Sequence, residues 1–400
     1  MRSVVAGDEQ RVSELLAAGA APCSVSGDAY TALHYAALTG RTEIAKLLCA
    51  APGGAASLAL CDKYGNTPLS LAVWQGGGSE GLVAALLEAD ASGATFDTQN
   101  MRGSTALACA SENGYEGAVR LLLAHGARQE LQNEDGHSAL HLAAIKSHVG
   151  VAKLLCAAPG AAAALALRNK IGDTPLALAV VDGGGNEALL AALLEADASG
   201  VTFDAQNTRG ESALSWASYK GCEGAVRLLL ARGARQELQN EYGSTALHNA
   251  ARKGHVGIAK LLCAAPGATA ALALRTKDGN ATPLLLATSL GGGCEGLVAA
   301  LLEADAAGMT VNVQDKFGGS ALMWASKEGY EGAVRLLLAR GARQELQNED
   351  GHSALHLAAI KSHVGVVKLL CAAPGAAAAL ALRNKIGDTP LDACCRGRWW

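Results

Sequence analysis

The sequence predicts an all-α solenoid of stacked pairs of short helices, and three observations carry that prediction. First, the 63 residues from Gly114 to Leu176 return from Gly329 to Leu391 with two differences, His125 against Arg340 and Ala152 against Val367. A chain that carries one stretch twice is organised by repetition, so its period matters more than its length. Second, aligning the chain against itself gives units beginning at Thr31, Thr67, Thr105, Ser138, Thr174, Ser212, Thr245, Thr282, Ser320 and Ser353, with a short one at Thr389. Third, Leu140, Ala143 and Ala144 sit at helical spacing, as do Val151, Leu154 and Leu155 after a break at Ser147. Neither helix is long enough to persist alone in water, and each has one narrow apolar stripe. Burial therefore requires the next unit to stack on it.

Each element of the unit follows from residue chemistry. The opening Ser or Thr is an N-cap, since its hydroxyl accepts from the free amides of the first helical turn. Pro68, Pro175, Pro283 and Pro390 follow at the first helical position, where a missing N–H costs nothing. A glycine two residues before the cap, as at Gly65, Gly136 and Gly243, reads as a turn residue with positive φ. His34, His141, His248 and His356 lie at the third helical position, where a side chain reaches back to the cap as in a capping box. After the second helix the units diverge, and their lengths cycle as 36, 38 and 33 residues to give a period of 107, with Ala281 adding one residue to the third cycle. The 36-residue type exits through Pro-Gly and an Ala-rich segment such as Ala157 to Leu167. The 38-residue type inserts Gly76 to Gly78, Gly183 to Gly185 and Gly291 to Gly293 between its helices, which reads as a flexible loop.

The phrases TALHYAALTG (Thr31 to Gly40), SALHLAAIKSHVGVAKLL (Ser138 to Leu155) and TALHNAARKGHVGIAKLL (Thr245 to Leu262) resemble the ankyrin repeat, with its Thr-Pro-Leu-His helix start and Gly-His break. The resemblance spans nearly the whole chain. It implies an ankyrin-repeat solenoid of stacked helix-turn-helix units with projecting hairpin-like loops and a concave partner-binding groove. Residues 1–400 are then expected to form one domain: a partial unit at 1–30, ten complete units over 31–388 and a truncated unit at 389–400. Neither end offers the polar face expected of a terminal repeat, so the chain reads as a piece of a longer array.

Composition narrows the partner. Thirty-three Lys and Arg against 37 Asp and Glu leave no basic excess for nucleic acid or an anionic membrane. The longest apolar runs are shorter than a bilayer span and are broken by residues such as Pro159 and Gly160, so no membrane insertion is expected. Eleven cysteines with no secretory h-region at the start favour the cytoplasm or the nucleus. Cys49, Cys156, Cys263 and Cys371 recur at one helical position and read as packing residues. No CxxC or HExxH spacing supports a metal site, and no glycine triplet is followed by the Lys and hydroxyl residue of a phosphate loop. Neither a cofactor nor an enzyme activity is expected, because no acid, base and nucleophile stand outside the repeat.

The informative positions are those that vary between copies. The fifth residue from the cap lies about 200° round the helix from the buried leucine, which in an ankyrin-like stack is the groove direction. With the eighth residue it gives the candidates Tyr35, Trp74, Leu142, Ile145, Trp216, Tyr219, Asn249, Arg252, Trp324 and Lys327. A row of aromatic and aliphatic residues is costly on a free surface and typical of an interaction patch. The loop tips add Lys63, Arg102, Glu134, Asp135, Lys170, Arg209, Tyr242, Lys277 and Phe317, with Lys-bearing and Glu-bearing tips recurring every third unit. The expected function is a non-catalytic scaffold or adaptor that takes a protein or peptide on its groove. The alternative is a regulatory array belonging to a larger enzyme, channel or ubiquitin-ligase subunit.

Overall fold

The computed structural model describes residues 1–93 and 95–396, so the last four residues of the expected terminal unit lie outside the described residues. The chain divides into two compact units, with the boundary between Thr208 and Arg209. Among the described residues the structure is helical, with one isolated bridge between Gln314 and Ser320. In the first unit two helices, Arg2–Ala6 and Glu9–Ala17, precede the pair Ala32–Leu38 and Thr42–Ala50, and the pairs recur through Pro175–Val181 and Glu187–Ala196. In the second unit they run from Ala213–Lys220 and Glu223–Ala231 to Ala354–Ile360 and Val364–Ala372.

Every complete repeat starts where the hydroxyl residue predicts, with the cap in extended backbone: Thr31, Ser138 and Ser353 have φ of -88°, -87° and -89°. Neighbouring first helices pack directly on one another within each unit, as Ala106–Asn113 does on Ala139–Ile145. Leu140, Ala143, Val151 and Leu155 are fully buried by that stacking, as the spacing predicts. The Ala-rich exits of the 36-residue repeats are not loops. They form a third short helix, Ala161–Ala166, Ala268–Ala273 and Ala376–Ala381, with a 3₁₀ turn at Ala55–Ala59 in the first copy. Ala164 and Leu165 of helix Ala161–Ala166 are buried.

The glycine triplets contain packing sites at their first and third positions, beyond the loop the sequence suggests. A Cβ on Gly183 would come within 2.5 Å of the Ala144 carbonyl of the preceding repeat. Gly76 and Gly291 meet the Ala37 and Ala251 carbonyls in the same way. The third glycine of two triplets lies against a ring, Gly78 beneath Tyr115 and Gly293 beneath Tyr330.

The turn before each cap is held by one side chain. Asn133 Oδ1 accepts from the amides of Asp135 and His137, at 3.0 and 2.8 Å, and Gly136 follows at φ 78°. Replacing Asn133 with Ala strands two amides and is expected to cost about 1–2 kcal/mol, read as a lower urea midpoint. An unchanged midpoint would show that water serves those amides equally well. In the repeat that carries the inserted Ala281, Asn280 takes the left-handed conformation at φ 52°, and Thr276 stands where the others have Asn or Asp, save Ser26 in the first.

Candidate interaction surface

The loop tips are joined by backbone. The Glu134 amide donates to the Arg102 carbonyl at 2.9 Å, and the Lys170 amide donates to the Asp135 carbonyl at 3.0 Å. In the second unit Glu349 donates to Phe317 at 2.9 Å and Lys385 to Asp350 at 3.0 Å. One such bond per repeat fixes the tips in register while their side chains project. All nine predicted tip residues, from Lys63 to Phe317, are exposed. Lys63 is engaged within the chain, pairing with Asp28 at 2.7 Å and lying 5.1 Å from the centre of the Tyr64 ring.

The row on the first helices is less uniform. Trp74 and Tyr219 are exposed, at 40% and 38%, whereas Tyr35, Ile145, Trp216, Arg252, Trp324 and Lys327 are half-buried. Leu142 and Asn249 do not lie on the open surface expected for them; each is 6% exposed. Neighbouring first helices stand too close for a short side chain to emerge between them, and only a ring or a long chain reaches out. Asn249 is moreover consumed inside the fold, its Nδ2 donating to the Ser215 carbonyl at 3.3 Å and lying 3.0 Å from Ser215 Oγ. Leu71, Leu178 and Leu286, at the same position of the 38-residue repeats, are buried for the same steric reason.

Three pockets lie along this surface. In the first unit one of about 450 Å³ is walled by Tyr30, Tyr64, Trp74 and Met101. A second, of about 430 Å³, is lined by Arg102, Glu112, Glu134 and Asp135, with Leu142 among them. In the second unit the corresponding pocket, of about 360 Å³, keeps the acidic pair as Glu349 and Asp350 and adds Phe317, Trp324 and Lys327. Sequence reasoning missed Glu112, Asp315, Gly319 and Met323 here. Their signal was available: they sit just upstream of the duplicated stretch, where the copies part.

The buried residues offer no reactive centre. His34, His141, His248 and His356 complete the capping boxes, and each also bridges to the next repeat through Nε2, as His141 does to the Asp173 carbonyl at 3.2 Å. Burial lowers His141 and His248 to about 4, which keeps both neutral. Burial pushes the Cys49, Cys156 and Cys263 thiols up to about 11, far from the range of a reactive thiolate. Among the described residues no cluster of His, Cys, Asp and Glu could hold a metal ion, and no helix is long and apolar enough to cross a membrane.

Capped helix pairs, bonded tips and a bridging histidine define a stacked helical-repeat protein. The sequence model described as ankyrin repeats (3 copies) matches residues 1–100, 78–167, 223–315, 269–348, 293–379 and 322–398, well over half of the chain. The chain belongs to the ankyrin repeat family, whose repeats are modules of protein–protein interaction and in general not catalytic. Among solved structures it is similar to the ankyrin repeat domain of Bcl-3, described as a unique member of the IκB protein family. Identity is 28%, over 55% of this chain and 93% of that one, with a TM-score of 0.46. No curated protein matches the chain.

Proposed function

We propose that the chain is a non-catalytic scaffold or adaptor that holds a protein or peptide along its first helices and loop tips. The observation that carries this reading is the exposure of large side chains there in each unit, with Tyr64 at 52% and Trp74 at 40% in the first and Tyr242 at 54% and Phe317 at 55% in the second. Rings held open to water are costly unless something covers them, and aromatic residues dominate interface energetics. Charged tips such as Glu134, Asp135, Lys170 and Lys277 would set the register of a partner, each contributing at most about 1 kcal/mol.

The test is affinity capture from native lysate with the chain as bait, beside the double variant Trp216→Ala, Trp324→Ala. The expected result is a partner whose affinity falls at least roughly tenfold in the variant. A partner retained within about twofold would remove both tryptophans from the interface.

A further inference from the structure

We propose that the Trp324 pocket of the second unit receives the guanidinium of an arginine side chain on the partner, a proposal that rests on the interaction reading above. The indole is fixed before any partner arrives. Its Nε1 donates to Asp315 Oδ2 at 2.7 Å, and Gly319 leaves its edge clear, since a Cβ there would come within 2.8 Å of Nε1. The ring face already attracts a cation: the Lys327 ammonium lies 4.6 Å from the ring centre. Glu349 and Asp350, which line the same pocket, are exposed and form no ion pair among the described residues, whereas nearby Glu345 is held by Arg343 at 2.7 Å.

An ammonium serves one of these features at a time. A guanidinium is planar and forked, so it lies flat on an indole while its edge donates to a carboxylate. Arginine is therefore the guest that uses both features, and Lys327 is the resident cation it must displace. The first unit supplies an internal control. Its pocket has the same carboxylates, Glu134 and Asp135, but Arg102 and Glu112 in place of Phe317 and Lys327, while Cys109, at the position of Trp324, lines the neighbouring pocket, so the Glu134 pocket offers charge without the ring.

The experiment uses the full chain and the acetylated, amidated pentapeptide Gly-Leu-Arg-Leu-Gly, titrated by calorimetry beside the same peptide with citrulline or lysine at the centre. Citrulline, which keeps the shape and removes the charge, is expected to bind at least about tenfold more weakly, and lysine about fivefold. Trp324→Cys and the pair Glu349→Gln, Asp350→Asn should each weaken the arginine peptide about tenfold, the carboxylate pair at an unchanged urea midpoint and Trp324→Cys while the chain stays folded by circular dichroism. Lys327→Met should tighten it severalfold, an effect that damage to the fold would not produce. Equal binding of arginine and citrulline, no measurable binding of the arginine peptide, or weaker binding by Lys327→Met would each overturn the proposal. A captured partner that depends on Trp216 and Trp324 but not on arginine would sink this pocket and leave the interaction surface standing. Arginine-dependent peptide binding with no captured partner would do the reverse.

Discussion

Gly183→Ala is expected to lower the unfolding free energy of the first unit by about 3 kcal/mol, whereas Gly184→Ala, one residue on, costs about 1 kcal/mol. The two glycines are needed for different reasons. At Gly183 a methyl group would meet the Ala144 carbonyl at 2.5 Å and the Ala179 carbonyl at 2.7 Å. Both obstacles are backbone, so neither can swing aside, and relief requires the preceding repeat to move off and the end of helix Pro175–Val181 to shift. Gly184 has open space around it, and only its φ of 68° disfavours a side chain. Urea unfolding of both variants decides the matter. Equal losses would mean that the triplet serves chain flexibility after all, and that the close approach of Gly183 is incidental.

Acid should destabilise both units over a window set by the buried histidines. His141 Nδ1 lies 3.2 Å from the Ser138 amide, which can only donate, so Nδ1 must accept and Nε2 carries the proton given to the Asp173 carbonyl. His248 repeats the arrangement with Thr245 and Ala281. A second proton would face the amide and break the cap, and burial holds both groups at about 4. The folded value lies below the unfolded value of about 6.5, so the neutral form contributes fully above that pH. Its contribution is lost as pH falls from about 6.5 towards 4, by roughly 3 kcal/mol for each histidine. Glu130, Glu237 and Glu345, held low by hydrogen bonds from Arg128, Arg235 and Arg343, add their loss only at lower pH. Urea midpoints should be flat from about pH 8 to 7 and fall below about pH 6.5. The double variant His141→Asn, His248→Asn should start lower and change less across that window. A wild-type midpoint constant down to about pH 5 would refute the assignment.

The sequence disclosed the periodicity because capping, turn conformation and helical stripes are properties of a few neighbouring residues. The hydroxyl cap at Ser138, the turn glycine Gly136 at φ 78° and the histidine reach-back from His141 all stand where local chemistry places them. The candidate surface was legible at its tips for the same reason. It was less legible along the helices, where Trp74 emerges but Leu142 and Asn249 do not. Helical angle gives the direction of a side chain, and only the distance to the next helix says whether it reaches water.

What the amino-acid order determined by itself was therefore the repeat, its helix pairs and caps, and the residues that project at each tip. What the tertiary structure alone decided was how repeats meet. It made Gly183 a packing site, joined His141 to the Asp173 carbonyl and folded Ala161–Ala166 into a third helix. It also brought Trp324, Glu349 and Asp350 into the lining of one pocket. Each of these depends on atoms that come together only when one repeat is laid on the next. Contacts between residues some thirty positions apart leave no mark on the local pattern that a sequence displays.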